Sequence, residues 1–144
     1  MKSFTYMLLT SAVFIGMSSA HAQDSSFICV ADKAVGFGFD NFTNSWERRN
    51  FRGNSQYLIN KKTDGDMGWV LKEVGDSTET KCEGGFGQYG FLNCNGYLDF
   101  QMNNESLRYI VAHKHGYVVR DPGNGFIEEG AITPYLEIGK CSPL

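Results

Sequence analysis

Two imidazoles stand two residues apart in His113-Lys114-His115. In an extended chain that spacing puts both rings on one face, where they could share a metal ion or a proton with a third group. No Asp or Glu adjoins them in sequence, so folding would have to bring in a carboxylate such as Glu128 or Glu129. The plainer reading is a polar strand end facing solvent. Gly85-Phe-Gly-Gln-Tyr-Gly90 matches a dinucleotide fingerprint by letter. That fingerprint works only between a strand and a helix whose N-terminus meets the phosphates. Here Cys94, Asn95 and Gly96 follow at once, so the glycines read as turn and bulge residues. Asp64-Gly-Asp66 opens like a calcium loop but lacks the third acid and the closing Glu. Glu128-Glu129 would point to opposite faces of a strand, which does not make a glycosidase pair. No GxSxG elbow is present. No cofactor is expected.

The remaining cluster is one of recognition rather than catalysis. Trp46, Arg48, Arg49 and Arg52 form the only local basic-aromatic group, and Tyr, Trp and Phe together make up 14% of the chain. Trp, Tyr and Arg dominate interface energetics, so this stretch is the candidate binding site for a protein or a glycan. The competing reading packs Trp46 and Phe51 inward and leaves the arginines in water.

What must position these groups begins with a leader. Lys2, an apolar run from Tyr6 to Met17 and Ala20-His21-Ala22 read as a signal peptide cut after Ala22. The apolar run is too short to span a bilayer, and no later stretch looks like a span. The domain is therefore expected over 23–144, exported to the periplasm or beyond. Loss of Lys2 leaves twelve basic residues against sixteen acidic ones, a mildly acidic chain of net charge −4. Phosphate binding needs clustered cations, so nucleic acid is excluded as a partner.

All four cysteines, Cys29, Cys82, Cys94 and Cys141, lie in the mature part. An even number in an exported chain predicts two disulfides, without CxxC-type zinc spacing. Of three pairings, Cys82–Cys94 across a hairpin and Cys29–Cys141 joining the chain ends are preferred.

Between the cysteines, alternation and turn residues arrive every 8–12 residues or so. Strands are expected at Phe27–Val30, Val35–Phe39, Trp46–Phe51, Gln56–Asn60, Gly68–Val74, Tyr97–Met102, Leu107–His113, Tyr117–Arg120 and Tyr135–Ile138. Two more short strands are expected in the hairpin Cys82–Cys94. Asp40–Ser45, Gly53–Ser55, Asp64-Gly65, Asn95-Gly96 and Asp121–Gly125 supply the turns. The fold class is all-β: one antiparallel meander, closed as a small barrel or folded as a sandwich.

The residues Cys29-x-Ala31-Asp32-x-Ala34-x-Gly36-Phe37, Trp46, Tyr57-Leu-Ile59 and Tyr89-Gly-Phe-Leu-x-Cys94 can now be set beside Leu107-Arg108, Gly116-Tyr117, Thr133-Pro134 and Glu137-Ile-Gly-Lys-Cys141. On these the chain resembles a group of small exported bacterial proteins of unassigned role, with four cysteines and the same C-terminal motif. The resemblance spans nearly the whole mature chain. It implies a bacterial, periplasmic or secreted setting and is consistent with two disulfides. It supplies no catalytic residue.

The leading expectation is a non-enzymatic exported binding module, inhibitor-like in architecture, holding another envelope protein or a glycan. It would make contact through a sheet face or rim loops such as Lys61–Met67 and Asp121–Gly125. The alternatives are a small periplasmic hydrolase using His113 and His115 with a carboxylate, and a calycin-like carrier with a ligand cavity inside the barrel.

Overall fold

A computed structural model describes residues 26–62, 68–117 and 130–144. The expected strand Tyr117–Arg120 beyond Tyr117 itself, the loop Asp121–Gly125, the pair Glu128-Glu129 and most of the Lys61–Met67 connection lie outside them.

Among the described residues nine strands form one antiparallel sheet: β1 (Ser26–Asp40), β2 (Ser45–Phe51), β3 (Gln56–Lys62), β4 (Gly68–Glu73), β5 (Glu79–Lys81), β6 (Phe91–Asn95), β7 (Asp99–Asn103), β8 (Arg108–His113) and β9 (Tyr135–Pro143). Their order is β5-β4-β3-β1-β9-β8-β7-β6, and β2 pairs with β1 beside that path. The described residues contain no helix. The sheet curls until its two ends almost meet, a nearly closed barrel. At the seam Glu83 bridges Asn93 and the Cys82–Cys94 disulfide joins the two sides. The segment between these cysteines thus holds one strand, β6, paired with β7, and a loop that meets it through one bridge, not two strands paired with each other. The second disulfide joins Cys29 to Cys141, which sit opposite each other on β1 and β9. Both preferred pairings are present, and no described cysteine is free.

The interior is filled by side chains. Tyr57, Phe100, Ile59, Leu92, Met102 and Val111 are all but inaccessible. The Phe100 and Tyr109 rings stack with centroids 5.2 Å apart, and Tyr57 meets both edge-on. Aromatic pairs of this kind add roughly 0.5–1.5 kcal/mol each beyond the area they bury. At the other end, Phe27, Trp69 and Phe86 make a second aromatic group, with Trp69 and Phe86 5.0 Å apart. Gly139 lies under the Tyr109 ring, where a Cβ would come within 2.5 Å of a ring carbon and 2.2 Å of the Val30 carbonyl oxygen. The glycine therefore sets how closely β9 approaches β1 and β8.

The two expected strands Phe27–Val30 and Val35–Phe39 are one long strand with a bulge. The pairing with β9 shifts between Ala31 and Lys33. Phe27, Cys29 and Ala31 point inward before it; Ala34 and Gly36 point inward after it. A single extra residue reverses the facing of everything beyond it. Val35 and Phe37, which would otherwise continue the core face, are turned out to solvent. The second half of β1 runs past β3 and pairs with β2 as a projecting arm. Its turn is held by the Asp40 carboxylate, which accepts the backbone N–H groups of Phe42 (2.8 Å) and Thr43 (3.2 Å). Those bonds, with Arg49 nearby, hold Asp40 below the usual carboxylate range.

Candidate functional site: the outer face of β1, β2, β8 and β9

On β9, Leu136-Glu137-Ile138 would conventionally put the two apolar residues in the core. The structure does the reverse: Glu137 is 2% exposed, while Leu136 and Ile138 are 48% and 49% exposed. The parity follows from Cys141, which must face inward to reach Cys29 and takes Gly139 and Glu137 with it. The Glu137 carboxylate accepts a hydrogen bond from the buried Tyr109 hydroxyl at 3.1 Å. Burial, together with Glu137, raises Tyr109 above its ordinary range.

The outward residues of neighbouring strands coincide. Val35 of β1 is opposite Leu136, Leu136 is opposite Ala112 of β8, and Ile138 is opposite Ile110. Phe37, 53% exposed, follows along the arm. Two hollows lie over this face and share Val35 and Leu136. The larger, of about 620 Å³, is lined mainly by Val35, Phe37, Trp46, Tyr117, Pro134 and Leu136. The smaller, of about 570 Å³, runs over Ile110 and Ile138 towards the bulge at Asp32 and Lys33. Soluble domains rarely leave so continuous an apolar area open to water without using it for contact.

Most charged groups around the area are cations, with Asp32 beside Lys33 at the smaller hollow. Among the described residues Arg48 and Lys114 line the larger hollow, and no carboxylate does. Lys114 pairs with Asp99, whereas Arg48 has no acidic partner within ion-pair distance among the described residues. At the other end Arg108 and Lys140 are exposed and directly opposite each other on β8 and β9. Like charges so placed repel and weaken the sheet, and a bound anion would relieve the repulsion.

The basic-aromatic cluster expected from the sequence is divided by strand alternation. Trp46 is half-buried, edge-on to Phe39 at 5.5 Å and to Tyr117 at 5.6 Å, and lines the larger hollow with Arg48. Arg49 points to the opposite face. Its stem crosses Gly38, and its guanidinium lies 3.7 Å from Asp40 and 3.8 Å from Glu47. Arg52 follows β2 in an exposed loop and lines neither hollow. Sequence reasoning missed Leu136, Ile138, Ile110 and Lys114. The only local signal for the first two is the inverted Leu-Glu-Ile pattern, and it becomes readable once Cys141 is placed inward.

The histidine pair occupies the barrel end, where His113 lines the larger hollow. His113 is buried, and its Nδ1–H donates to the Thr133 carbonyl at 3.0 Å, which leaves Nε2 unprotonated and without a hydrogen-bond partner among the described residues. Burial holds His113 below the usual imidazole range, opposed by its bond to Thr133 and reinforced by His115. Tyr97 packs on both rings, 4.7 Å from His113 and 4.6 Å from His115. The two imidazoles do converge, with centroids 5.4 Å apart, but no set of three metal-ligating side chains is found among the described residues. The described residues also contain no helix long and apolar enough to cross a membrane. Comparison of the chain with protein-family models, curated proteins and solved structures gives no match.

Proposed function

We propose that this protein is an exported, non-enzymatic binding module that works through the outer face of β1, β2, β8 and β9. The observation that carries the reading is the outward placement of Val35, Phe37, Ile110, Leu136 and Ile138 on adjacent strands, ringed by Lys33, Arg48, Arg108, Lys114 and Lys140. The filled interior supports contact on the outside rather than a ligand held within the barrel. Two disulfides fit an oxidising setting such as the periplasm or the extracellular space, and with it a partner from a bacterial envelope. The partner's contacting surface is apolar and negatively charged. An apolar floor suits such a surface better than a glycan, whose hydroxyls need side-chain amides and carboxylates to bind.

The test is crosslinked capture of partners in the cells that make the protein, comparing wild type with Leu136→Asp and Arg48→Glu. Both positions are exposed, and far-UV circular dichroism checks that both variants keep the wild-type fold. Loss of the adduct in both, with retention in Phe91→Asp on β6, supports the reading. Equal capture by all four chains refutes it. A hydrolytic activity abolished in a still-folded His113→Ala, His115→Ala chain would favour the enzyme instead.

A further inference from the structure

The geometry points to a single-chain anionic amphiphile, an acyl chain ending in a carboxylate, as the ligand of the hollow between Trp46 and Leu136. This rests on the outer face being the binding surface and names what it holds. The floor of the hollow is the face of a sheet, not its edge: β1 pairs with β9 and β9 with β8 along its length. Those backbone N–H and C=O groups are engaged in the ladder. A peptide main chain laid there would lose its water and find no replacement, a penalty for each group left unpaired. Sugar hydroxyls meet the same difficulty. A hydrocarbon chain has nothing to satisfy and gains from every methylene it removes from water.

Size and charge agree. About 620 Å³ lies within the range of small-ligand sites. The second hollow adjoins the first at Val35 and Leu136, and the two together lie along β9 from Pro134 to Ile138. Four residue steps of a strand reach ~13 Å, about the length of a medium acyl chain. Among the described residues the charged side chains lining the larger hollow are Arg48 and Lys114, both cations. Lys114 has Asp99, so Arg48 is the group that receives the head group. A guanidinium takes a carboxylate in a bidentate, charge-assisted pair. A hollow of this volume beside the contacting Trp46 and Tyr117 rings favours a free amphiphile over a flat bilayer.

Trp46 lies against the proposed chain while Trp69 is buried in the core, so binding can be read directly. The mature protein is titrated with decanoate, dodecanoate and tetradecanoate below their micelle concentrations, with 2-bromododecanoate, whose bromine stays beside the head group and so near Trp46, as a contact quencher. The expected result is saturable one-to-one binding that tightens about four-fold per added methylene. Bromine should quench emission in wild type but not in Trp46→Phe. Dodecanol, and dodecanoate with Arg48→Gln, should bind at least ten-fold more weakly. Dodecanol binding as tightly as dodecanoate, an unchanged affinity in Arg48→Gln, or association with anionic vesicles but not with free dodecanoate would each overturn the assignment. If no amphiphile binds while Leu136→Asp still abolishes partner capture, the ligand class is wrong and the face stands. If Leu136→Asp leaves capture intact, the face itself is wrong.

Discussion

Removing the two disulfides one at a time should destabilise the domain unequally, in an order set by loop length. The cysteines of one are 112 residues apart and those of the other 12. In the chain-entropy description these loops correspond to ~4.8 and ~2.8 kcal/mol at 25 °C. Cys29→Ala with Cys141→Ala should therefore cost about 2 kcal/mol more than Cys82→Ala with Cys94→Ala. Against a typical domain stability of about 5–15 kcal/mol, the first loss brings the fold close to its limit. The structure supplies a competing consideration. Cys29 and Cys141 sit on strands already paired along nine positions, whereas Cys82 and Cys94 clamp a seam that otherwise has one bridge. If seam closure holds the barrel together, the short staple becomes the more important. Urea unfolding of both double variants, followed by tryptophan emission and far-UV circular dichroism, separates the two cases. The entropic account predicts the lower midpoint for the Cys29, Cys141 variant with similar slopes. A lower midpoint for the Cys82, Cys94 variant, or a marked drop in its slope, would refute loop length as the governing term.

Three further outcomes follow from buried polar groups. Tyr109→Phe removes the hydrogen bond to the buried Glu137 carboxylate and should cost about 1–3 kcal/mol in urea unfolding; an unchanged midpoint would mean that the bond contributes nothing. Glu73 is raised above its ordinary value by burial, then by Glu137 and Asp76, so folding favours its protonated form. The protein thus keeps that contribution at low pH and loses it as pH rises through the raised value. Glu73→Gln should be the more stable chain at pH 7, the advantage fading by pH 3, as thermal melts across that range will show. His113 is shifted the other way, so folding favours its neutral form. Its stability contribution is present above the ordinary imidazole range and is lost as pH falls through the depressed value. Imidazole NMR titration should show His113 protonating below the ordinary imidazole range, and protonation within that range would contradict the buried environment.

The strands were legible because turn chemistry is local. Asp40–Ser45, Gly53–Ser55 and Asn95-Gly96 fall between strands as their residue types require. The disulfide pairing was legible as a preference, because one pair brackets a glycine-rich loop and the other the chain ends. What alternation alone could not give is which way each strand faces. The bulge between Ala31 and Lys33 reverses the second half of β1, and the inward Cys141 reverses Leu136-Glu137-Ile138. Both are fixed by partners distant in sequence. For the same reason the candidate cluster was only half right. Trp46 and Arg48 share the hollow, while Arg49, one residue on, must point away. Lys114 was seen only as a spacer between histidines, because its place beside Arg48 depends on β8 lying two strands away from β1.

The claim that this protein acts by contact through its outer face is tested most directly by a photoreactive phenylalanine analogue placed in living cells, at position 37 in one chain and at position 91 in another. Both sites are exposed, on opposite reaches of the sheet. Light-dependent adducts at 37 and none at 91 are the predicted outcome. Adducts confined to 91, or equal at both, would contradict it.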